Sequence, residues 1–181
     1  MRRRSVFVSI VAVVLLGLIA AGHSLTTNAQ DATPRADEHG FVGSWRVTVT
    51  PPQGPPFVSL GTAGADGTMV VSPPPAQPAP NAPGGVTYMS TGHGAWEATG
   101  PETAIVTFVV SVADGQGNPF GTATIRADVA LGSDGQTFSG VNVVTIADPA
   151  GNVVATLSEP LQGTRIVAEA PEMLSMETPA A

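Results

Sequence analysis

Apolar and polar residues alternate with a period of two through most of the chain after residue 40. The clearest example is the segment 120–131, in which the apolar positions are Ala123, Ile125, Ala127, Val129 and Leu131. A period of two is typical of a β-strand with one buried face, because successive side chains point to opposite faces. No helical period of apolar residues occurs between Phe41 and Ala168. The pattern therefore predicts an all-β fold.

Turn-forming residues divide this region into eight predicted strands. They cover residues 41–50, 57–64, 68–72, 92–99, 103–113, 120–131, 137–147 and 153–168, the last with a break near Glu159 and Pro160. Because the connections are short, sequential strands should pair as antiparallel neighbours. Closure of the sheet removes its exposed edges and gives an eight-stranded up-and-down barrel. The alternative, a two-sheet sandwich, needs longer crossing connections, and only residues 73–85 offer one.

Alternate connections of such a barrel lie at opposite ends. Residues 51–56, 73–91, 114–118 and 148–152 would share one end, and residues 65–67, 100–102 and 133–136 would close the other. Two stiff proline-rich stretches, 51–56 and 73–80, would then meet at one rim. We expect either a pre-formed ligand mouth or a long solvated loop there. The candidate mouth residues are Pro55, Phe57, Pro74, Pro75, His93 and Trp96.

The N-terminus has the composition of a secretory signal. Three arginines precede an apolar run of 17 residues, 6–22, which only Ser9 interrupts, and small or polar residues then lead to Ala29. We predict a signal peptide at 1–29, a disordered tether at 30–40, the barrel domain at 41–168 and a disordered tail at 169–181. The general secretory route fits better than the twin-arginine route, and the protein would be secreted or associated with the cell envelope. An uncleaved N-terminal anchor is the alternative, since the run is just long enough to span roughly 30 Å of bilayer.

The amino-acid composition excludes some classes of binding partner for this protein. The chain has no cysteine, so an exported barrel must be stable without disulfides. The three leading arginines belong to the predicted signal peptide. The rest of the chain has four arginines, no lysine and 14 acidic residues, so its net charge is about −10. Such a surface repels nucleic acid and anionic lipid headgroups. Two Trp and one Tyr cannot form the aromatic girdles of an outer-membrane barrel, so we expect a soluble barrel.

One short motif resembles a known group of barrels. Gly43-Ser44-Trp45, at the start of the first predicted strand, is similar to the Gly-X-Trp signature of the calycins, the lipocalin-like barrels, and the segment 90–97 resembles uncharacterised bacterial calycin-like proteins. The resemblance implies that Arg165, on the last strand, covers the Trp45 indole and closes the barrel base. Stacking of a guanidinium on an indole is also sensible chemistry. The helix and disulfide common in lipocalins are missing from the sequence, and the several pocket tryptophans of the avidins are missing too.

The sequence offers little catalytic chemistry. Of its three histidines only His93 falls within the predicted barrel, and on a strand it would lie about 13 Å from Glu97. This distance is too long for one shared metal ion, so we expect no zinc, copper or other metal site and no cofactor. No nucleophile elbow is present, and we expect the protein not to be an enzyme. Residues 114–118 resemble part of a calcium loop but lack a second carboxylate, so we interpret them as a turn.

These observations lead to one functional hypothesis and one alternative. The hypothesis is that the exported barrel binds a small apolar ligand at its proline-rich end. The alternative is a non-catalytic structural or protein-interaction module with a packed interior. The sequence does not distinguish a hollow barrel from a filled one, because eight strands leave room either for side chains or for one small ligand.

Overall fold

The computed structural model describes residues 38–79 and 82–170. The predicted signal peptide, residues 30–37 of the predicted tether and residues 171–181 of the predicted tail lie outside the described residues. Within the described part, no helix is both long and apolar enough to cross a membrane.

Ten strands and one short 3-10 turn, Pro83–Gly85, make up the regular structure of the described residues. The strands are β1 (Gly43–Val49), β2 (Phe57–Ala63), β3 (Thr68–Ser72), β4 (Ala76–Pro78), β5 (Val86–Met89), β6 (Gly92–Ala98), β7 (Thr103–Asp114), β8 (Pro119–Leu131), β9 (Thr137–Ala147) and β10 (Val153–Arg165).

Eight of these strands close into an antiparallel barrel. Around the barrel the order is β1, β2, β3, β6, β7, β8, β9 and β10. β10 returns to pair with β1, so that Trp45 lies opposite Arg165 and Val49 lies opposite Leu161. The predicted up-and-down barrel is therefore confirmed, and the sandwich alternative is excluded.

The long proline-rich connection between β3 and β6 is not a simple loop, which corrects the sequence interpretation. β4 and β5 pair with each other, from Ala76 opposite Tyr88 to Pro78 opposite Val86. β5 also pairs with the upper part of β7, where Met89 lies opposite Val112. The β4–β5 hairpin thus extends the barrel wall above the ends of β3 and β6, with β5 next to the upper part of β7. A sequence pattern could not indicate these strands, because each has only three or four residues and depends on its neighbour for hydrogen bonds.

The predicted break in the last strand is wrong. β10 continues through Pro160, which lies opposite Val141 of β9. The Pro160 carbonyl accepts a hydrogen bond from the Thr50 amide at 2.9 Å. The nitrogen of Pro160, which has no hydrogen to donate, therefore also faces β1. It lies just beyond Val49 and Leu161, the last residue pair of the β1–β10 ladder. A proline is tolerated in a strand where no ladder donor is required.

The barrel wall is uneven in height. β7, β8, β9 and β10 contain 12, 13, 11 and 13 residues, whereas β1, β2, β3 and β6 contain 7, 7, 5 and 7. The strands are level at the end that contains Trp45 and Arg165, which we call the base. The long strands and the β4–β5 hairpin extend beyond the short ones at the opposite end, which we call the rim.

Candidate functional site

The structure brings Trp45 and Arg165 together at the base. The Arg165 Cζ atom lies 4.2 Å from the centre of the Trp45 ring. Arg165 also donates hydrogen bonds to three backbone carbonyls: from Nε to Gly135 at 2.9 Å, from Nη1 to Val42 at 2.8 Å, and from Nη2 to Gly40. This side chain therefore joins β10 to the segment before β1 and to the turn between β8 and β9.

Gly43 provides the space that this arrangement needs. Its φ is +132°, and a Cβ atom at this position would lie 2.5 Å from the Arg165 Nη1 atom. A larger residue would meet both a strained backbone and the guanidinium. The three residues of the sequence signature, Gly43, Trp45 and Arg165, thus form one packed unit.

Aromatic rings fill the interior next to this unit. Trp45 is fully buried, and its ring centre lies 4.9 Å from that of Phe138 and 5.8 Å from that of Phe41. Phe41 also contacts Trp96 edge to face, with ring centres 5.4 Å apart. The Trp45 Nε1 atom donates to the Phe41 carbonyl at 2.9 Å, so the buried indole has a polar partner.

His39 belongs to this cluster as well, which corrects its assignment to the tether. It is buried, its Nε2 atom lies 3.0 Å from the Gly100 carbonyl, and its Nδ1 atom accepts from the Phe41 amide at 3.1 Å. Its ring centre lies 5.6 Å from that of Trp96. Residues 38–40 are therefore part of the barrel base.

The rim half of the barrel is hollow. It holds a cavity of about 570 Å³, lined by inward-facing residues of the long strands and of β1, β2 and β3, by the two proline-rich stretches, and at its floor by Phe41 and Phe138. Apolar lining residues include Val110, Ala123, Ile125, Val144 and Leu157. The interior is therefore filled by rings at the base, and above them a second cluster of buried aliphatic residues lies beside the cavity.

The predicted mouth residues divide into two groups. Pro55, Phe57 and Pro74 line the cavity. Pro75 is exposed, does not line it, and accepts a hydrogen bond from the Met89 amide through its carbonyl. The rim connections themselves lie where the alternation of connections predicts, since 50–56, 73–91, 115–118 and 148–152 all join strand ends remote from the base.

Trp96 and His93 do not lie at the mouth, and this part of the prediction is wrong. Trp96 is buried in the base, where its Nε1 atom donates to the Gly64 carbonyl at 2.8 Å. His93 is exposed on the outer face of β6, as is Glu97. Trp96 lies at the base because β6 begins below the rim, where β5 takes its place beside β7. His93 lies outside because it is on the face of β6 opposite to Trp96.

One polar group stands out within the apolar cavity. Glu159 of β10 lines the cavity, is only 7% exposed, and lies directly opposite Asn142 of β9. Burial raises the pKa of the Glu159 carboxyl, and a hydrogen bond from the Asn142 side chain acts in the opposite direction. Ser59 of β2 is a further buried polar residue in the lining.

Glu159 and Asn142 were not predicted as site residues from the sequence, although the sequence contains a signal for Glu159. In β10 the apolar or small residues Leu157, Leu161 and Gly163 alternate in phase with Glu159, so the carboxyl falls on the inward face. The interpretation of Pro160 as a break hid this phase. A polar residue at an inward position of an alternating strand is the pattern that would have revealed it.

Asp114 and Asp148 at the rim accept hydrogen bonds within the turns that they begin. Asp114 Oδ1 accepts from the amides of Gln116 and Asn118, both at 2.9 Å, and Asp148 Oδ1 accepts from those of Ala150 and Asn152 at the same distance. The hydrogen bond from the Asn118 amide lowers the pKa of the Asp114 carboxyl, and those from the Asn152 side chain and amide lower the pKa of the Asp148 carboxyl. The interpretation of residues 114–118 as a turn agrees with this geometry. Among residues 38–79 and 82–170, no three potential ligand side chains converge on a common metal position.

Comparison with known proteins identifies no family for this chain. No protein-family model and no curated protein sequence matches it. Among solved structures, one described as a redesigned β-barrel is similar over 74% of this chain and 96% of its own length, with 17% sequence identity and a TM-score of 0.42.

Proposed function

We propose that this barrel is a non-catalytic binding protein for one small, mainly apolar molecule, which occupies the cavity in the rim half. The observation that carries the proposal is the cavity itself, about 570 Å³ in volume and lined largely by aliphatic side chains. Binding sites for small molecules typically enclose about 300–1,000 Å³ and combine apolar walls with a few polar groups.

The construction of the rim supports a pre-formed site. Eight strands enclose an interior that side chains alone can fill, and the rings at the base do so. The rim half instead carries small inward residues such as Ala123, and the proline-rich stretches stand beside the space that they leave. Proline-rich backbone loses little conformational freedom when a ligand binds, so these stretches can frame an entrance at low entropic cost.

Sequence features support a location outside the cytoplasm and a relationship to the calycins. The basic, apolar and small-residue sections of 1–29 are those of an export signal. The packed unit of Gly43, Trp45 and Arg165 matches the signature of the calycin-like barrels in residue type and in order along the chain. We therefore propose an exported carrier or sensor of an apolar compound, in the secreted or envelope-associated fraction.

Titration with a neutral fluorescent probe, N-phenyl-1-naphthylamine, tests the proposal. We expect one probe to bind per chain and to be displaced by other apolar molecules. Ala123→Trp, inside the cavity, should weaken binding at least about fivefold by occupying part of the volume. Ala130→Trp, on the exposed outer face of the same strand, is the matched control and should leave binding unchanged. Absence of probe uptake, or equal uptake by both variants, would refute the proposal.

A protein-interaction module is the second candidate. It is favoured by exposed apolar side chains on neighbouring outer positions of β2 and β3: Val58, Leu60 and Val70, which are 47%, 51% and 40% exposed. Contiguous apolar surface of this kind marks protein contacts when it is large enough. Replacing Leu60 and Val70 with threonine should then reduce association measured by sedimentation and leave probe uptake unchanged, whereas monodisperse behaviour of both proteins would argue against this candidate.

A further inference from the structure

The ionisable groups of the cavity lining are acidic only. Among the described residues that line the cavity, Glu159 is the only one with an ionisable side chain, and no lysine, arginine or histidine accompanies it. The chain as a whole carries a formal charge of −7. The electrostatic environment of the cavity is therefore unfavourable for an anion.

Glu159 lines the cavity, and the Asn142 side chain in the wall is a hydrogen-bond partner of its carboxyl. Its inward neighbours along β10 are Leu157 and Leu161, and the residue opposite on β9 is Asn142. More than nine-tenths of the Glu159 residue is buried. Burial of a carboxylate without a cation is unfavourable, and an uncharged carboxamide compensates only part of this cost.

The carboxyl and the carboxamide together form a polar pair at one place on an apolar wall. An ammonium group offers three donors and a positive charge. Hydrogen bonds in which one partner is charged are stronger than neutral ones, and the surrounding aliphatic side chains would reduce screening by water. An alcohol could satisfy the pair only in part, and an ionised carboxylate would be repelled by it.

We propose that the cavity selects an apolar monoamine, with its ammonium group at Glu159 and Asn142 and its hydrocarbon part among the aliphatic side chains of β7, β8 and β9. This inference rests on the proposed function, since it names the chemical class of the molecule that the cavity would bind.

Three ligands of equal chain length test the inference: decylamine, decanol and decanoate, titrated into the full-length chain at pH 7 by calorimetry. We expect decylamine to bind at least about tenfold more tightly than decanol, which is the difference typical of one charge-assisted hydrogen bond. Decanoate should bind most weakly of the three. Decanoate affinity equal to or above that of decylamine would overturn the inference.

Glu159→Gln keeps the size of the side chain and removes its charge. This variant should bind decylamine and decanol with similar affinity, whereas Glu97→Gln, on the outer face of β6, should keep the wild-type preference. A decylamine preference that persists in Glu159→Gln would show that the ammonium group binds elsewhere and would overturn the inference.

The neutral probe separates the two possible failures. Uptake of N-phenyl-1-naphthylamine without any preference for decylamine would remove the amine inference and leave the binding function in place. Absence of both probe uptake and decylamine binding would overturn the proposed function and the inference together.

Discussion

The base and the rim of this barrel use the same alternation of inward and outward residues but fill the interior differently. At the base, inward positions carry Trp45, Trp96 and Phe138, whose rings pack against Phe41. At the rim, inward positions carry Ala123 and aliphatic residues, which pack in a second cluster and line the cavity. The comparison teaches that strand pattern decides the barrel, whereas side-chain volume decides whether each half of it is filled.

The two halves also differ in how they treat polar groups. At the base, His39, the Trp45 indole and the Arg165 guanidinium all hydrogen-bond to backbone carbonyls. At the rim, Glu159 has a neighbour in Asn142 but otherwise faces the cavity. The polar groups of the base thus fix backbone positions, whereas the polar pair of the rim lies in the wall of a cavity.

The largest expected effect is the removal of the central ring of the base. Trp45→Ala should destabilise the protein by about 3–5 kcal/mol, because it leaves a large void among Phe41, Phe138 and Arg165. Urea unfolding followed by circular dichroism measures the change. A loss below about 1 kcal/mol would show that the base is not the main stabilising region.

Loss of the guanidinium should come next. Arg165→Ala removes the stacking on Trp45 and three hydrogen bonds to carbonyls, and we expect a loss of about 2–3 kcal/mol. Arg126→Ala, on the exposed outer face of β8, is the matched control and should change stability by less than about 0.5 kcal/mol. Equal effects of the two substitutions would contradict the assigned role of Arg165.

A matched pair of alanines compares the filled and hollow halves directly. Ala104 is buried in the cluster of the base, whereas Ala123 lines the cavity. Ala104→Leu should destabilise by about 1–3 kcal/mol through overpacking, and Ala123→Leu should cost less because the added methyl groups can extend toward the cavity that Ala123 lines. Thermal unfolding of both variants gives the answer. The reverse order of effects would mean that the upper cavity collapses in solution.

The smallest effect concerns the buried carboxyl. Because burial raises the pKa of Glu159 above its ordinary value of 4.5, the folded state holds this proton more tightly than the unfolded state. The group therefore favours folding at low pH, and that contribution declines as pH rises through the raised pKa. Glu159→Gln should then stabilise the protein at pH 7 by less than about 1 kcal/mol, and this gain should shrink at pH 4.

The comparison between the variant and the wild type at each pH isolates this carboxyl from the rest of the protein. The turn aspartates, including Asp66 and Asp134, have lowered pKa values, so their contribution is present above pH 3.8 and is lost as pH falls below it. They titrate equally in both proteins and cancel in the difference. A gain for Glu159→Gln that grows at low pH would contradict the placement of this side chain in the cavity.

Most of the barrel could be predicted because each long strand and turn has a recognisable local sequence pattern. The alternation in β8 and the Asp-Asn turns after β7 and β9 are local features, and short connections leave antiparallel pairing as the simple outcome. The β4–β5 hairpin could not be predicted in this way. Its short strands have no alternation to detect, and they form because β7 already provides an edge on which β5 pairs, and β4 then pairs with β5.

The candidate site was predicted in part. Pro55, Phe57 and Pro74 follow from the end of the barrel to which their connections belong. Trp96 was misplaced because its height along the barrel depends on where β6 begins relative to β5 and β7. Glu159 was missed because Pro160 was taken to end the strand, although the β1 ladder stops just where the proline's absent donor would have been needed.

The sequence by itself determined the eight barrel strands and their order, the two ends of the barrel and the residues of the signature at the base, but not the β4–β5 hairpin. These depend on a period of two and on turn chemistry, both of which act over a few residues. Only the tertiary structure decided that the upper half is hollow and that one carboxyl faces the space. The cavity is lined by side chains from β1, β2, β3, β7, β8, β9 and β10 together, so its volume depends on residues that are far apart in the sequence and meet only in the folded barrel.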